Sequence, residues 1–207
     1  EMELQPLPDF LEIPHIYEPI LYPGFAENMA APGQLQEAMR ETGLAKGILK
    51  KVRKGYHALV ADWLMEQSGE RTSEYTGLIA EHLEKAGRTD EALVYLWQAG
   101  DQAAAQYANG EAVRFIGRAL DLLQAVEQPP AEAQKQEYML LLGREGAYKL
   151  LGDRQAQAAD LERLAALAEA MGDVRCSGEV AQRYAAYYDA ISSFQAAFDA
   201  AGRAIEF

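Results

Sequence analysis

An all-α fold, built as a stack of helical hairpins, is what this sequence of 207 residues predicts. Three observations lead to it. From Gln34 onward apolar residues recur every three or four positions, segment after segment. Alternating runs of β-branched residues, the mark of half-buried strands, do not occur. The same punctuation also appears twice: "LEKAGRTDEA" at 83–92 and "LLGDRQAQA" at 150–158 each read as a helix end, a short Gly-containing turn and a new helix start.

The elements follow in order. Residues 1–33 hold Pro6, Pro8, Pro14, Pro19, Pro23 and Pro32, which remove backbone donors and forbid a long helix. The stretch "FLEIPHIYEPILYPGF" is nevertheless rich in Leu, Ile, Tyr and Phe, so it reads as an extended strap that docks its side chains, with a disordered tail as the alternative. Residues 34–207 form the helical domain. Val52, Tyr56, Val60 and Trp63 place an apolar stripe on a helix of about 48–67, and Leu78, Ile79 and Leu83 mark the next, about 73–86. Thr89 or Asp90 is a cap for the helix that carries Leu93, Leu96, Ala99, Ala103 and Tyr107 on one face. Asn109 is a cap for the one holding Val113, Ile116, Leu120 and Leu123, which "QPP" at 128–130 stops. A helix of about 131–151 ends at Gly152, Asp153 caps its successor, and "MGD" at 171–173 repeats that stop and start. The last two helices carry Tyr184, Tyr188, Ile191, Phe194 and Phe198.

Charge and composition exclude several classes. A net charge of −13 argues against nonspecific nucleic-acid binding and anionic membranes, because phosphate affinity needs clustered Lys and Arg. No apolar run approaches the roughly 20 residues that span a bilayer, and no signal peptide is visible at the start. The lone Cys176 excludes an internal disulfide framework and a thiolate zinc site, and a reducing, cytoplasmic setting is the default. The chain does not begin with Met, which suggests a piece of a longer protein.

Small residues at fixed offsets carry the first resemblance. "GLIAEHLEKAGRTDEALVYLWQA", through Ala80, Gly87, Ala92, Leu96 and Ala99, is similar to the tetratricopeptide repeat. So are "AAAQYANGEAVRFIGRAL", through Ala112, Ile116 and Ala119, and "GEVAQRYAAYYDAISSFQAAFDAAGRAI", through Ala185, Tyr188, Ala197, Ala201 and Ala204. Ala92 and Ala112 are only twenty residues apart, so the helix between them serves two pairs in succession. The resemblance implies a right-handed α-α superhelix of about eight or nine helices that binds a peptide or domain along its groove. Residues 50–123 further resemble the segment after the nucleotide-binding module in large bacterial multidomain signalling ATPases, linked to nucleotide cyclase or transcriptional output domains. That likeness implies an effector-sensing arm as the alternative function. No G-x-x-x-x-G-K-[ST] phosphate loop occurs in this chain.

Catalytic, cofactor and metal sites are not expected. His15, His57 and His82 stand alone in three segments, without an HExxH or a neighbouring carboxylate cluster, and His57 and His82 fit helix–helix contacts better than ligands. The carboxylates around Glu70–Glu91 follow helical spacing, as a solvated face does. Arg175 beside Cys176 can lower the thiol's pKa, but no partner histidine lies near it in sequence. For recognition, the candidates are the aromatics Tyr95, Trp97, Tyr107, Tyr184 and Tyr187, since Tyr187 and Tyr188 cannot face the same way. A basic run, Lys46, Lys50, Lys51, Arg53 and Lys54, either holds an acidic partner or phosphate or balances an acidic neighbour on an exposed helix.

Overall fold

The computed structural model describes residues 44–68 and 72–206. The strap expected over 1–33 lies outside the described residues. Among those described, the chain forms eight helices and no strand: α1 Leu44–Ser68, α2 Thr72–Ala86, α3 Thr89–Ala105, α4 Asn109–Leu123, α5 Pro130–Leu151, α6 Arg154–Met171, α7 Val174–Ala190 and α8 Phe194–Glu206. From α2 on, each helix packs on the next, and α3 also touches α5. The all-α fold of consecutively packed helices is therefore as the apolar periodicity predicts. Contacts divide the chain into two compact units, Glu1–Arg53 and Lys54–Phe207, and the description below concerns the second.

One turn geometry makes the stack. Gly87, Tyr107, Gly152, Gly172 and Ser192 all take left-handed backbone conformations just after a helix. In four of these turns the following N–H returns to a carbonyl five residues back: Arg88 to Leu83, Ala108 to Ala103, Asp153 to Tyr148 and Ser193 to Tyr188. These bonds satisfy carbonyls that the helix end leaves open. Gly87 and Tyr107 stand twenty residues apart, and Gly152, Gly172 and Ser192 keep the same interval. Glycine is the ordinary solution there, because a Cβ is strained at positive φ. At Gly87 a Cβ would also stand 2.8 Å from the Lys54 ammonium, the end of a flexible side chain that can move aside, so the positive φ is what calls for glycine.

Several expected details differ. Tyr107 belongs to a turn and is 81% exposed, rather than continuing the apolar face of α3. Thr89 and Asp90 lie inside α3, whose cap residue Arg88 makes no side-chain capping bond. Instead its guanidinium pairs with Glu91 in the first turn and with Asp62 of α1, fixing the helix start by charge. Asn109 likewise lies inside α4 and caps nothing, and its buried Oδ1 has no partner. α4 ends at Leu123, well before the prolines, and Pro130 is instead the first residue of α5, where its missing N–H costs nothing. Asp153 and Asp173 do cap, accepting from Ala156 N–H and from the N–H groups of Arg175 and Cys176.

The core is three neighbouring clusters. Ala61 and Leu64 of α1 meet Ile79, Leu83 and Ala92. Leu93, Leu96, Phe115, Ile116, Leu123 and Leu140 anchor the central cluster across α3, α4 and α5. Tyr138, Leu141, Leu161, Leu164, Leu167 and Val180 join α5, α6 and α7. Close approach depends on glycines inside helices. A Cβ on Gly100 would stand 2.5 Å from Ile116 Cγ1, and one on Gly77 would stand 2.7 Å from Phe115 Cζ. Positions twelve residues apart across a turn are buried pairs: Ala80 with Ala92, and Gly100 with Ala112. In the α5–α6 hairpin the equivalent positions are Glu145 and Gln157, 1% and 0% exposed. Here a hydrogen bond replaces small-residue contact, Gln157 Nε2 donating to Glu145 Oε1 at 2.7 Å.

Candidate binding furrows

Three depressions repeat one arrangement. The first lies between α2 and α4 with α3 as its floor, the second between α4 and α6 over α5, and the third between α6 and α8 over α7. Their volumes are about 380, 590 and 270 Å³. Even-numbered helices are thus ridges and odd-numbered ones floors, an order set by the repeated turn.

The first two linings carry polar and charged groups, whereas the third is mostly apolar. In the first, the Thr76 hydroxyl donates to Gln102 Oε1 at 2.8 Å, Arg118 pairs with Glu84, and the Arg114 guanidinium lies 4.4 Å from the Phe115 ring centre. In the second, Arg144 donates from Nε and Nη2 to the two oxygens of Asp160 at 2.9 and 2.6 Å, and Arg163 grips Glu137 the same way at 2.7 and 2.9 Å. Burial alone would lower the Arg144 pKa, but the bonds and charge of Asp160 hold it above its ordinary value. Forked pairs of this kind fix both partners in direction and leave further guanidinium N–H groups for a ligand. In the third, Tyr184 stands on the floor and Arg203 comes from α8. Burial, then the neighbouring Tyr188 and Glu162, push the Tyr184 hydroxyl pKa up, so it remains a donor.

Behind the second depression runs a buried polar chain. Glu145 accepts from Gln157 and, through Oε2, from Arg183 Nη1 at 2.5 Å. Arg183 reaches Glu179, and the Tyr138 hydroxyl donates to the Cys176 carbonyl oxygen at 3.2 Å. Burial raises the Cys176 thiol pKa first, and the charge of Asp173 adds to it. The adjacent Arg175 does not activate it, because burial and the negative charges of Asp173 and Glu179 act in the opposite direction.

Of the five aromatic candidates, Tyr184 lines one of these depressions. Tyr95 and Trp97 are half-buried against the central cluster, and Tyr187 packs on the α5–α7 cluster with its edge toward Tyr188. Tyr107 points from its turn. Helical spacing could not separate these cases, because each aromatic shares its helix with core positions. Of the basic run, Lys50, Lys51, Arg53 and Lys54 are exposed on α1, and Lys46 lies on the same helix. The residues that do line the furrows, such as Gln102, Arg114, Arg144 and Arg163, carried no sequence signal beyond ordinary polar spacing.

The structure also brings together two histidines that stand apart in sequence. His57 Nδ1 of α1 and His82 Nδ1 of α2 are 3.0 Å apart, their rings tilted by 58°. Burial first, then His57 and Lys85, lower the His82 pKa below its ordinary value. No group of three or more His, Cys, Asp or Glu is placed to hold a metal ion among the described residues. No described helix is long and apolar enough to cross a membrane.

No known family model matches this chain. Over 144 residues, 66% of its length, it is 30% identical to an uncharacterized protein of Rhizobium meliloti (strain 1021). The match covers only 14% of that protein, so the chain corresponds to a small part of its relative.

Proposed function

We propose that this chain is a non-catalytic interaction module of a larger regulatory protein, gripping a peptide or a domain along the furrows between its even helices. The observation that carries this reading is the recurrence of one depression, ridge–floor–ridge, three times along the stack. An extended partner can lie across such a series, its backbone groups meeting Gln102, Gln106 and the spare N–H groups of Arg114, Arg144 and Arg163. Affinity then arises from many modest polar contacts on a rigid scaffold. Selection of a random peptide library against the purified chain, followed by calorimetry, tests it. Gln106→Ala and Arg163→Glu are expected to weaken a selected peptide at least about tenfold, or roughly 1.4 kcal/mol, while Lys149→Ala, outside all three linings, leaves it unchanged. A library without binders, or binding indifferent to the furrow variants, would sink the proposal.

A second reading is an effector-sensing arm of a signalling ATPase. It is favoured by the small share of the Rhizobium relative that the match covers and by the size of the charged second depression. A small anionic or zwitterionic effector bound to Arg144 and Arg163 would raise the melting temperature; a metabolite panel that moves nothing would leave the peptide reading alone.

A further inference from the structure

We infer that the third depression binds a free α-amino acid with an apolar side chain, its carboxylate on Arg203 and its ammonium on Glu169. The lining sets this depression apart from the other two. There every arginine is already paired with a carboxylate, Arg114 and Arg118 in the first and Arg144 and Arg163 in the second. In the third, Arg203 of α8 and Glu169 of α6 both stand in the lining, and neither makes an ion pair with the other or with any described residue. Most of the remaining lining is apolar, and Val180 and Ala181 of α7 and Ala168 of α6 are buried.

These groups select a ligand by charge and shape. A charged group leaves water only where it meets its opposite, so an apolar hollow edged by one free cation and one free anion suits a zwitterion with an apolar body. A peptide does not match it. Residues inside a chain carry no backbone charge, each chain end carries one, and successive side chains of an extended peptide point to opposite faces. A free α-amino acid holds both charges and its side chain on one carbon. The guanidinium grips a carboxylate with two parallel bonds. Tyr184, also in the lining, offers a hydroxyl donor. Ser177 spends its hydrogen on the Asp173 carbonyl oxygen at 3.2 Å and keeps lone pairs that accept from an ammonium. A volume of about 270 Å³ falls just below the range that drug-sized ligands occupy, as so small a ligand requires. The peptide contacts assigned above lie in the first two depressions, so this site and that reading stand or fall separately.

The experiment is a saturation-transfer NMR titration of the full chain at pH 7.5 with L-leucine, L-valine, L-methionine and L-phenylalanine. N-acetyl-leucine amide, which keeps the side chain and lacks both charges, is titrated in parallel. At least one of the free amino acids is expected to saturate a single site below about 10 mM, and the amide is not expected to bind. Glu169 and Arg203 are exposed, so Glu169→Gln and Arg203→Gln leave the fold in place, which an unchanged melting temperature verifies. Each should weaken binding at least about tenfold, while Lys149→Ala, outside the lining, should not alter it. No saturation by any of the four, equal binding of the amide, or binding indifferent to either Gln variant would overturn the assignment. Selected peptides that bind a chain to which no amino acid binds would remove this site and leave the peptide reading intact.

Discussion

Tyr107 and Gly100 show how single side chains set the spacing of this stack. Tyr107 holds a left-handed conformation that an L-residue adopts at a cost of about 1–2 kcal/mol, and its ring is exposed. Tyr107→Gly is therefore expected to raise stability by about 1 kcal/mol, read as a rise of roughly 2–4 °C in melting temperature. Gly100→Ala should do the reverse. Its new methyl meets Ile116 in a packed core, and relief requires the α3–α4 approach to open, at about 1–3 kcal/mol. Glu145 is a third case. It is a buried carboxylate whose removal as Glu145→Ala leaves Gln157 Nε2 without its acceptor and Arg183 with Glu179 as its remaining carboxylate, a loss of about 1–3 kcal/mol in chemical denaturation. Its hydrogen-bonded partner, Gln157, stands at the position where the turns at Gly87 and Tyr107 are followed by a buried alanine. A sequence reading that looked for small pairs finds looser spacing there, because polar satisfaction has replaced close approach.

At the scale of elements, the helices differ in how they begin. α6 and α7 start on aspartates that accept backbone N–H bonds, α3 starts on an ion pair, and α4 on neither. Asp173 links this to pH. The N–H of Cys176 and then that of Arg175 hold its carboxyl below the usual carboxylate value. Its folded pKa is thus lower than its unfolded one. The cap contributes its stability above the unfolded value, about 3.9, and loses it as pH falls through the folded value. Thermal melts between about pH 5 and pH 2 should show α7 weakening in the acid part of this range, and Asp173→Asn, which keeps an acceptor oxygen without a charge, should flatten that part of the profile. An unchanged acid slope in Asp173→Asn would remove the cap from the account.

At the scale of the whole second unit, stability is distributed along the stack rather than pooled in one core. The central cluster ties α2 through α5, while among the described side chains of α8 only Ala200 is buried and Phe194, Phe198 and Ile205 are exposed. Hydrogen exchange should therefore be slowest in α3 and α4 and fastest in α8, with protection falling helix by helix. Uniform protection from α2 to α8 would mean that the hairpins cooperate far beyond their nearest neighbours.

Helix periods, turn glycines and aspartate caps are local: they depend on residues within one or two turns of each other, and so the all-α fold and the stops at Gly87, Gly152 and Gly172 were legible from the chain itself. The left-handed turns at Tyr107 and Ser192 were not, because neighbouring hairpins impose that conformation against intrinsic preference. The furrows and the His57–His82 pair belong to the tertiary structure for the same reason. Residues far apart in sequence meet only once the helices cross, and no spacing along one helix records which face a later helix will cover.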